Sequence, residues 1–332
     1  MIEPPDTPER GEVLQRLVEA AVWAPSAHDT RPWWFDTHGE TVTLHADTDR
    51  CLNVVDPHGR EMLISCGAAL FTLRLAVRRL GRRPEVRMAS DPDRPGLIAD
   101  VSLGPPQPVT DEDRQLYEQV ERRRTHRGGF RASAMPVGLL QALRADACAE
   151  HVSLRIVADP RMRVALAALS DAAEQVQRMD PAYVAEVARW APPPGSERPD
   201  AVHEEACPRD PDDTEPHVAE RDFARGQGWG MTGGEPREAT GVVALLTTAG
   251  DGRTDWLRAG QALQRVLLRA AEDDVSAAFH TQVLEVPELR EFIRTRFCDA
   301  TYPQMIMRLG MADAEFAGAR RPAAADIVAD DL

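Results

Sequence analysis

ISCGAALFTLRLAVRRLG (Ile64–Gly81) and LRAGQALQRVLLRAAEDD (Leu257–Asp274) can be laid over one another without a gap, matching Gly67 with Gly260 and Leu70 with Leu263. From Met62 to Val77 the first copy is apolar nearly all round, interrupted by Ser65, Gly67, Thr72 and Arg74. Such a pattern predicts a helix over Arg60–Leu80 that is buried in a core or an interface, with Gly67 permitting close backbone approach. The second copy predicts a helix over Trp256–Ala271. A short strand follows in each case, Glu85–Ala89 and Ser276–His280. Later comes a strand running into Leu-Gly, Leu97–Leu103 before Gly104 and Gln304–Leu309 before Gly310. This weak repeat implies one fold half used twice. Helix–strand–strand recurrence also arises by chance, and the alignment alone does not decide between the two.

Working outward, Glu12–Trp23 reads as an amphipathic helix ended by Pro25, and APSAHDTRPWWF (Ala24–Phe35) as a turn-rich segment studded with aromatics. Thr41–Ala46 alternates as a half-buried strand. GPPQPVTDED (Gly104–Asp113) is the clearest linker of the first half. A short helix leads from it to a run of arginines, followed by a helix over Val137–Arg144 and a strand over Val152–Ala158. Met162–Trp190 reads as one or two helices, broken near Pro181, and Gly241–Thr247 as a buried strand. From Ala191 to Arg237 prolines alternate with acids and then glycines. A segment of that length and composition predicts a lid or an insertion.

The 332 residues carry a net charge of −15 with 43% hydrophobic side chains, enough for a sizeable core, and the acidic balance argues against non-specific nucleic-acid binding. The N-terminal MIEPPDTPER lacks the basic-then-apolar pattern of a secretory signal, and no run reaches the roughly 20 apolar residues of a membrane span. Five well-separated cysteines without CxxC spacing predict neither a disulfide framework nor a structural zinc site, and fit a reducing cytoplasm. Every basic side chain is arginine.

Against this background RRRTHRGGF (Arg122–Phe130) is a local reversal of sign. Guanidinium forks and a Thr hydroxyl suit a phosphate, and on residue types alone a solvated basic patch at a helix end suits them equally. A second basic pair, Arg320-Arg321, precedes Pro322. Other signals are weak. GQGWG (Gly226–Gly230) lacks the third glycine and the preceding strand of a dinucleotide fingerprint. Ser26, His28 and Asp29 have the residue types of a hydrolytic triad but crowd into four positions, whereas triad members converge from distant segments. His203, Glu204, Glu205 and His217 have no helical spacing for a metal. No catalytic residue and no metal ligand is assigned.

RRTHRGGF (Arg123–Phe130), PSAHDTRPW (Pro25–Trp33) and PQMIMRLG (Pro303–Gly310) followed by RRPAAADIV (Arg320–Val328) resemble the motifs of the flavin-dependent nitroreductase superfamily. DPHGREMLISCGAAL (Asp56–Leu70) resembles a hallmark of its fused, single-chain Acg-type branch. The resemblance covers about Glu12 to Val328 apart from the Pro-rich segment. It implies an α+β, nitroreductase-like fold whose two related halves form an intramolecular pseudo-dimer. Residues 1–110 would be a degenerate half without a phosphate motif; residues 111–332 would carry the basic motif and the lid or insertion at about 191–237. One FMN per chain is expected. Arg123, Arg124, Thr125 and Arg127 would hold its phosphate and ribityl chain, with Arg320 or Arg321 completing the clamp, and Pro25, Ser26, Asp29 and Arg31 would face the ring. The family pattern has Asn and Gln where this chain has Asp29 and Arg31, so Arg31 would have to neutralise the acid. The implied activity is an NAD(P)H-consuming oxidoreductase acting on a nitro or quinone-like acceptor, cytoplasmic, a monomer behaving as an intrachain dimer with further oligomerisation left open, and with no nucleic-acid or membrane partner. The alternatives are a non-catalytic flavin binder and an interaction protein that has kept only the fold.

Overall fold

The computed structural model describes residues 10–89, 93–198, 200–209, 214, 216–218, 220–231 and 239–312. The first half of the chain runs α1 (Arg10–Ala21), β1 (Trp33–His38), β2 (Thr41–Ala46), α2 (Arg60–Arg79), β3 (Arg82–Met88) and β4 (Leu97–Pro106). A short α3 (Asp111–Glu118), closed at its start by a Thr110/Asp113 capping box, leads into the second half. There follow α4 (Leu139–Ala149), β5 (Ser153–Ile156), α5 (Pro160–Arg178), α6 (Pro181–Trp190), β6 (Val242–Thr248), α7 (Arg253–Glu272), β7 (Val275–Phe279), α8 (Gln282–Glu285), α9 (Pro287–Phe297) and β8 (Tyr302–Met311). The chain is α+β, as read from the sequence.

The strands form two four-stranded antiparallel sheets, β1-β2-β4-β3 and β5-β6-β8-β7. In both, the order is first, second, fourth, third, and one long helix (α2 or α7) joins the second strand to the third. The weak repeat therefore marks two copies of one topology. β2 shows the alternation expected of a sheet with one covered face, whereas β6 is buried along nearly its whole length.

α2 and α7 pack against each other at their glycines. A Cβ added to Gly67 would lie 2.2 Å from the Leu257 carbonyl oxygen, and one on Gly260 would lie 1.9 Å from that of Ile64. Ile64 and Leu257 are themselves equivalent in the repeat, and each is buried in the other half's core. Leu257 packs with α1, β1, β2, α2 and β4, and Ile64 with α4, β5, β6, α7, β7 and β8. Reciprocal contacts of this kind are what a two-fold axis between the halves produces. Gln264 continues the seam by donating to Thr72 Oγ1 at 3.0 Å.

One reading is corrected, and one stretch left without a reading gains its helices. Trp33–Phe35 belongs to β1 instead of the turn, with Trp33 and Phe35 buried and Trp34 stacked on His45 across the pair at 3.7 Å. The polar stretch before the last strand holds α8 and α9, the latter opened by Pro287 in its first turn. Among the described residues no helix is long and apolar enough to cross a membrane. All five cysteines are free.

Candidate functional site

The turn after α1 is built from unusual backbone. His28, Asp29 and Arg31 have φ of 49°, 53° and 47°, a left-handed region that side chains other than Gly, Asn and Asp adopt only under constraint. The constraint is a set of bonds across the chain. Ser26 Oγ accepts from the Arg31 N–H at 3.0 Å, and the Ala27 N–H donates to Ser65 Oγ at 3.2 Å on α2. The Ala201 N–H donates to the Asp29 carbonyl at 3.3 Å. Arg31 donates to the Asp29 carboxylate at 2.6 Å, with both side chains almost fully buried. The neutralisation that the sequence required is therefore present.

The arginine run extends the second sheet. Thr125 bridges Ala277 in parallel, and the His126 N–H donates to the Ala277 carbonyl at 2.9 Å. Phe130 then plugs into the core against Gly310 and Gly241, where any side chain would collide with its ring. The guanidinium groups diverge from this anchored backbone. Arg123 is buried and donates to the Trp23 carbonyl at 3.3 Å. Arg124 lies over the Trp23 ring at 5.2 Å, and Arg127 over the Phe223 ring at 5.4 Å while donating to the Ala206 carbonyl at 3.3 Å.

These pieces enclose two adjoining clefts. The smaller is lined by Pro25, Ser26, Asp29, Arg123, Arg124, Thr125 and Arg127 together with Ala201, Val202 and Ala206. Seven of the ten residues picked out from the sequence thus meet in one place, although they come from stretches a hundred residues apart. Arg31 lines neither cleft and lies buried against Asp29. Arg320 and Arg321 lie outside the described residues. The larger cleft shares Pro25, Ser26, Thr125 and Arg127 with the smaller and adds His28, Glu61, Ile64, Ser65, Leu263, Phe279, Gln282 and Met305. Its walls come from α2, α7 and β7, so it opens at the seam between the two repeated units.

One side is closed by four successive residues, each tied to a different element. Glu220 pairs with Arg308 on β8 at 2.6 Å and accepts from the Gly128 N–H at 2.7 Å. Arg221 pairs with Glu285 and bonds the Tyr183 hydroxyl. Asp222 pairs with Arg178 on α5 at 3.0 Å, and Phe223 meets the His28 ring edge-on at 5.4 Å. Neighbouring parts of the Pro-rich stretch (Ala191, Ala201, Val202, Cys207, Trp229) form an apolar cluster with Leu52, Val55, Tyr183, Val187 and Trp190.

Electrostatics sharpen the picture. Burial, with Arg221 and Arg127 nearby, pushes the His28 imidazole well below its ordinary pKa, so it is neutral. Burial and the neighbouring Glu285 carboxylate lift Glu61 to about 8, against the pull of Arg60, which donates to it at 2.8 Å. Burial thus biases Glu61 toward its protonated form.

No protein-family model matches the chain. Over 315 residues, covering 93% of this chain and 92% of the relative, it is 30% identical to a Mycobacterium tuberculosis protein named as a candidate NAD(P)H nitroreductase, acg. The chain belongs to the Acg-type branch of the nitroreductase superfamily. A second M. tuberculosis protein named in the same way is 31% identical over 91% of this chain and 86% of its own. Among solved structures, an FMN-bound nitroreductase from Desulfitobacterium hafniense aligns with a TM-score of 0.37 at 14% identity, over 65% of this chain and 98% of its own. A candidate nitroreductase from Anabaena variabilis aligns with a TM-score of 0.48 at 14% identity, over 94% and 90%.

In this Acg-type chain, sequence reasoning missed His28, Glu61, Ser65 and the Glu220–Phe223 strip as cleft residues. His28 was visible only as an implausible triad member. Glu61 and Ser65 sat inside the quoted Asp56–Leu70 hallmark without a role, and nothing local in the Pro-rich stretch marks Arg221 or Phe223.

Proposed function

We propose that this chain is an FMN-dependent oxidoreductase that consumes NAD(P)H and reduces a nitro or quinone-like acceptor, with one flavin site per chain in the two joined clefts. One observation carries the reading: an arginine-lined cleft and a larger, mostly apolar one meet at Pro25, Ser26, Thr125 and Arg127. A planar ring with a phosphate tail needs that combination. The residues fit the group. Arg127 meets a ring face and a carbonyl oxygen, neutral partners that leave its charge for a phosphate, and Arg124 stands beside it over the Trp23 ring. Thr125 lines both clefts, and its hydroxyl would serve as a donor where they join. The Asp29–Arg31 pair removes the repulsion that an acid would otherwise exert on an anionic ligand.

When bound, the flavin would supply the two-electron chemistry, and the protein would bind, orient and shield it. Ile64, Leu263 and Met305 give the larger cleft apolar walls that exclude water. Burial there favours the protonated form of Glu61. The Glu220–Phe223 strip caps the cleft through its three ion pairs. Without a dinucleotide fingerprint, NAD(P)H would visit the cleft only transiently. In this reading the two repeated units act as an intramolecular pseudo-dimer, and the names of the Acg relatives support the class of reaction.

Titration of apo-protein with FMN, followed by fluorescence quenching, should give about one equivalent per chain. NAD(P)H oxidation should then depend on an added acceptor. FMN uptake without turnover would point to a non-catalytic flavin binder, and no uptake would refute the reading.

A further inference from the structure

Among the described residues lining the larger cleft, His28 is the one whose polar side-chain atoms are buried without hydrogen-bond partners: neither Nδ1 nor Nε2 has one. The residue is 7% exposed. Native proteins pair nearly all buried polar atoms, and a side chain left unmatched inside a cleft calls for a partner from within it, a water or a bound ligand. Nothing local would bring it there cheaply. His28 holds a left-handed backbone, φ 49° and ψ 21°, and the Ala27 N–H to Ser65 bond fixes the turn against α2. Its ring sits edge-on to Phe223 at 5.4 Å. Arg127 and Arg221 flank it and, with burial, keep it uncharged. A neutral imidazole has one N–H to give and one lone pair to receive. It therefore suits an uncharged or delocalised oxygen beside a flat ring better than a free anion.

We propose that His28 is the residue by which the cleft recognises its electron acceptor: an imidazole N–H donates to a quinone carbonyl or nitro oxygen, with the Phe223 ring packed alongside. The assignment rests on the flavin reading given above. A flavin's own pyrimidine carbonyls offer the same chemistry. His28, however, lines only the larger cleft and is absent from the arginine-lined one, which sets it toward the ring end and away from the tail.

The test uses the full chain with His28→Phe and His28→Ala, which remove the N–H, and His28→Asn, which keeps a donor and tolerates the left-handed backbone. FMN affinity is measured by fluorescence quenching. Acceptor affinity is measured on the oxidised, FMN-loaded protein without NAD(P)H, from the change in flavin absorbance on adding 1,4-naphthoquinone or naphthalene, which lacks the oxygens. FMN binding should stay within about two-fold in every variant, while naphthoquinone binding weakens about ten-fold in His28→Phe or His28→Ala, as expected for one lost hydrogen bond. The preference for naphthoquinone over naphthalene should shrink in those variants and be largely kept in His28→Asn. Weaker FMN binding with unchanged naphthoquinone binding would assign His28 to the cofactor and overturn the proposal. So would unchanged naphthoquinone affinity in both donor-removing variants. A wild-type chain that takes up no FMN would overturn the flavin reading, and this assignment with it.

Discussion

Gly260→Ala should damage both the stability of the chain and its cleft. The added methyl would stand 1.9 Å from the Ile64 carbonyl oxygen and 2.9 Å from the Ala68 nitrogen, well inside any tolerated contact. The obstacle is backbone in the middle of α2, so no side chain can swing aside. α2 and α7 would have to separate by about 1 Å or more to restore ordinary van der Waals spacing. Overpacking of this kind costs about 1–3 kcal/mol, and a backbone obstacle puts it at the upper end. Alanine returns about 1 kcal/mol through its helix propensity. The net expectation is a loss of about 2 kcal/mol in urea unfolding with an unchanged m-value. Gly11→Ala in α1 is the control, because an added Cβ there meets nothing within 4 Å and should bring only the propensity gain, a stabilisation of up to about 1 kcal/mol. Ile64 and Leu263 line the larger cleft from the two helices, so FMN affinity should fall together with stability. A Gly260→Ala protein as stable as wild type would refute the helix crossing and the two-fold arrangement that rests on it.

Three further outcomes follow from the site. Glu61→Gln removes an acid lifted from 4.5 to about 8, chiefly by burial. The folded wild type retains a proton that the unfolded chain releases in that window, so its stability should fall as pH rises from 4.5 to 8, and the variant should gain on it by up to roughly 4 kcal/mol; parallel stability–pH profiles would refute this. Arg127→Ala should weaken FMN binding about ten-fold while leaving riboflavin nearly untouched, because the lost contact is to phosphate; equal losses would place Arg127 elsewhere. Arg31→Gln withdraws the cation beside a buried carboxylate and should cost about 3–5 kcal/mol, more than Asp29→Asn with Arg31→Gln together; if the double variant is no better in thermal unfolding, the two charges do not depend on each other.

The fold was legible where a residue's type is dictated by its own surroundings. Gly67 and Gly260 stand out because only glycine fits where two helix backbones touch, and the repeat aligned them before any contact was known. The β2 alternation and the apolar β6 run announce themselves because one or both faces are covered. β1 was hidden by its neighbours. Its first residue follows Arg31-Pro32 in a turn, and consecutive tryptophans break the alternation, since Trp34 stacks on His45 and does not enter the core. α8 is a single turn, too short to set a period; in α9 Leu289, Phe292, Ile293 and Phe297 do recur at helical spacing, but over only three turns crowded with charge.

At the site the sequence supplies residue types but not their partners, and there the partners decide the chemistry. Asp29 and Arg31 look like two separate departures from the family pattern, yet in the fold they pair with each other and are buried together. The five arginines of Arg122–Arg131 look interchangeable. In the fold, Arg123 is turned inward to a carbonyl, Arg122 stays in solvent near Asp274, and Arg124 and Arg127 lie on ring faces at the cleft. The Glu220–Phe223 strip sits in a stretch whose prolines and acids read as loop, because each of its anchors (Arg308, Glu285, Arg178 and His28) is far away in the chain. A loop held by four distant partners keeps the composition of a loop while acting as a wall. His28 follows the same logic in reverse: what singles it out is the absence of a hydrogen-bond partner, a property that only three dimensions can reveal.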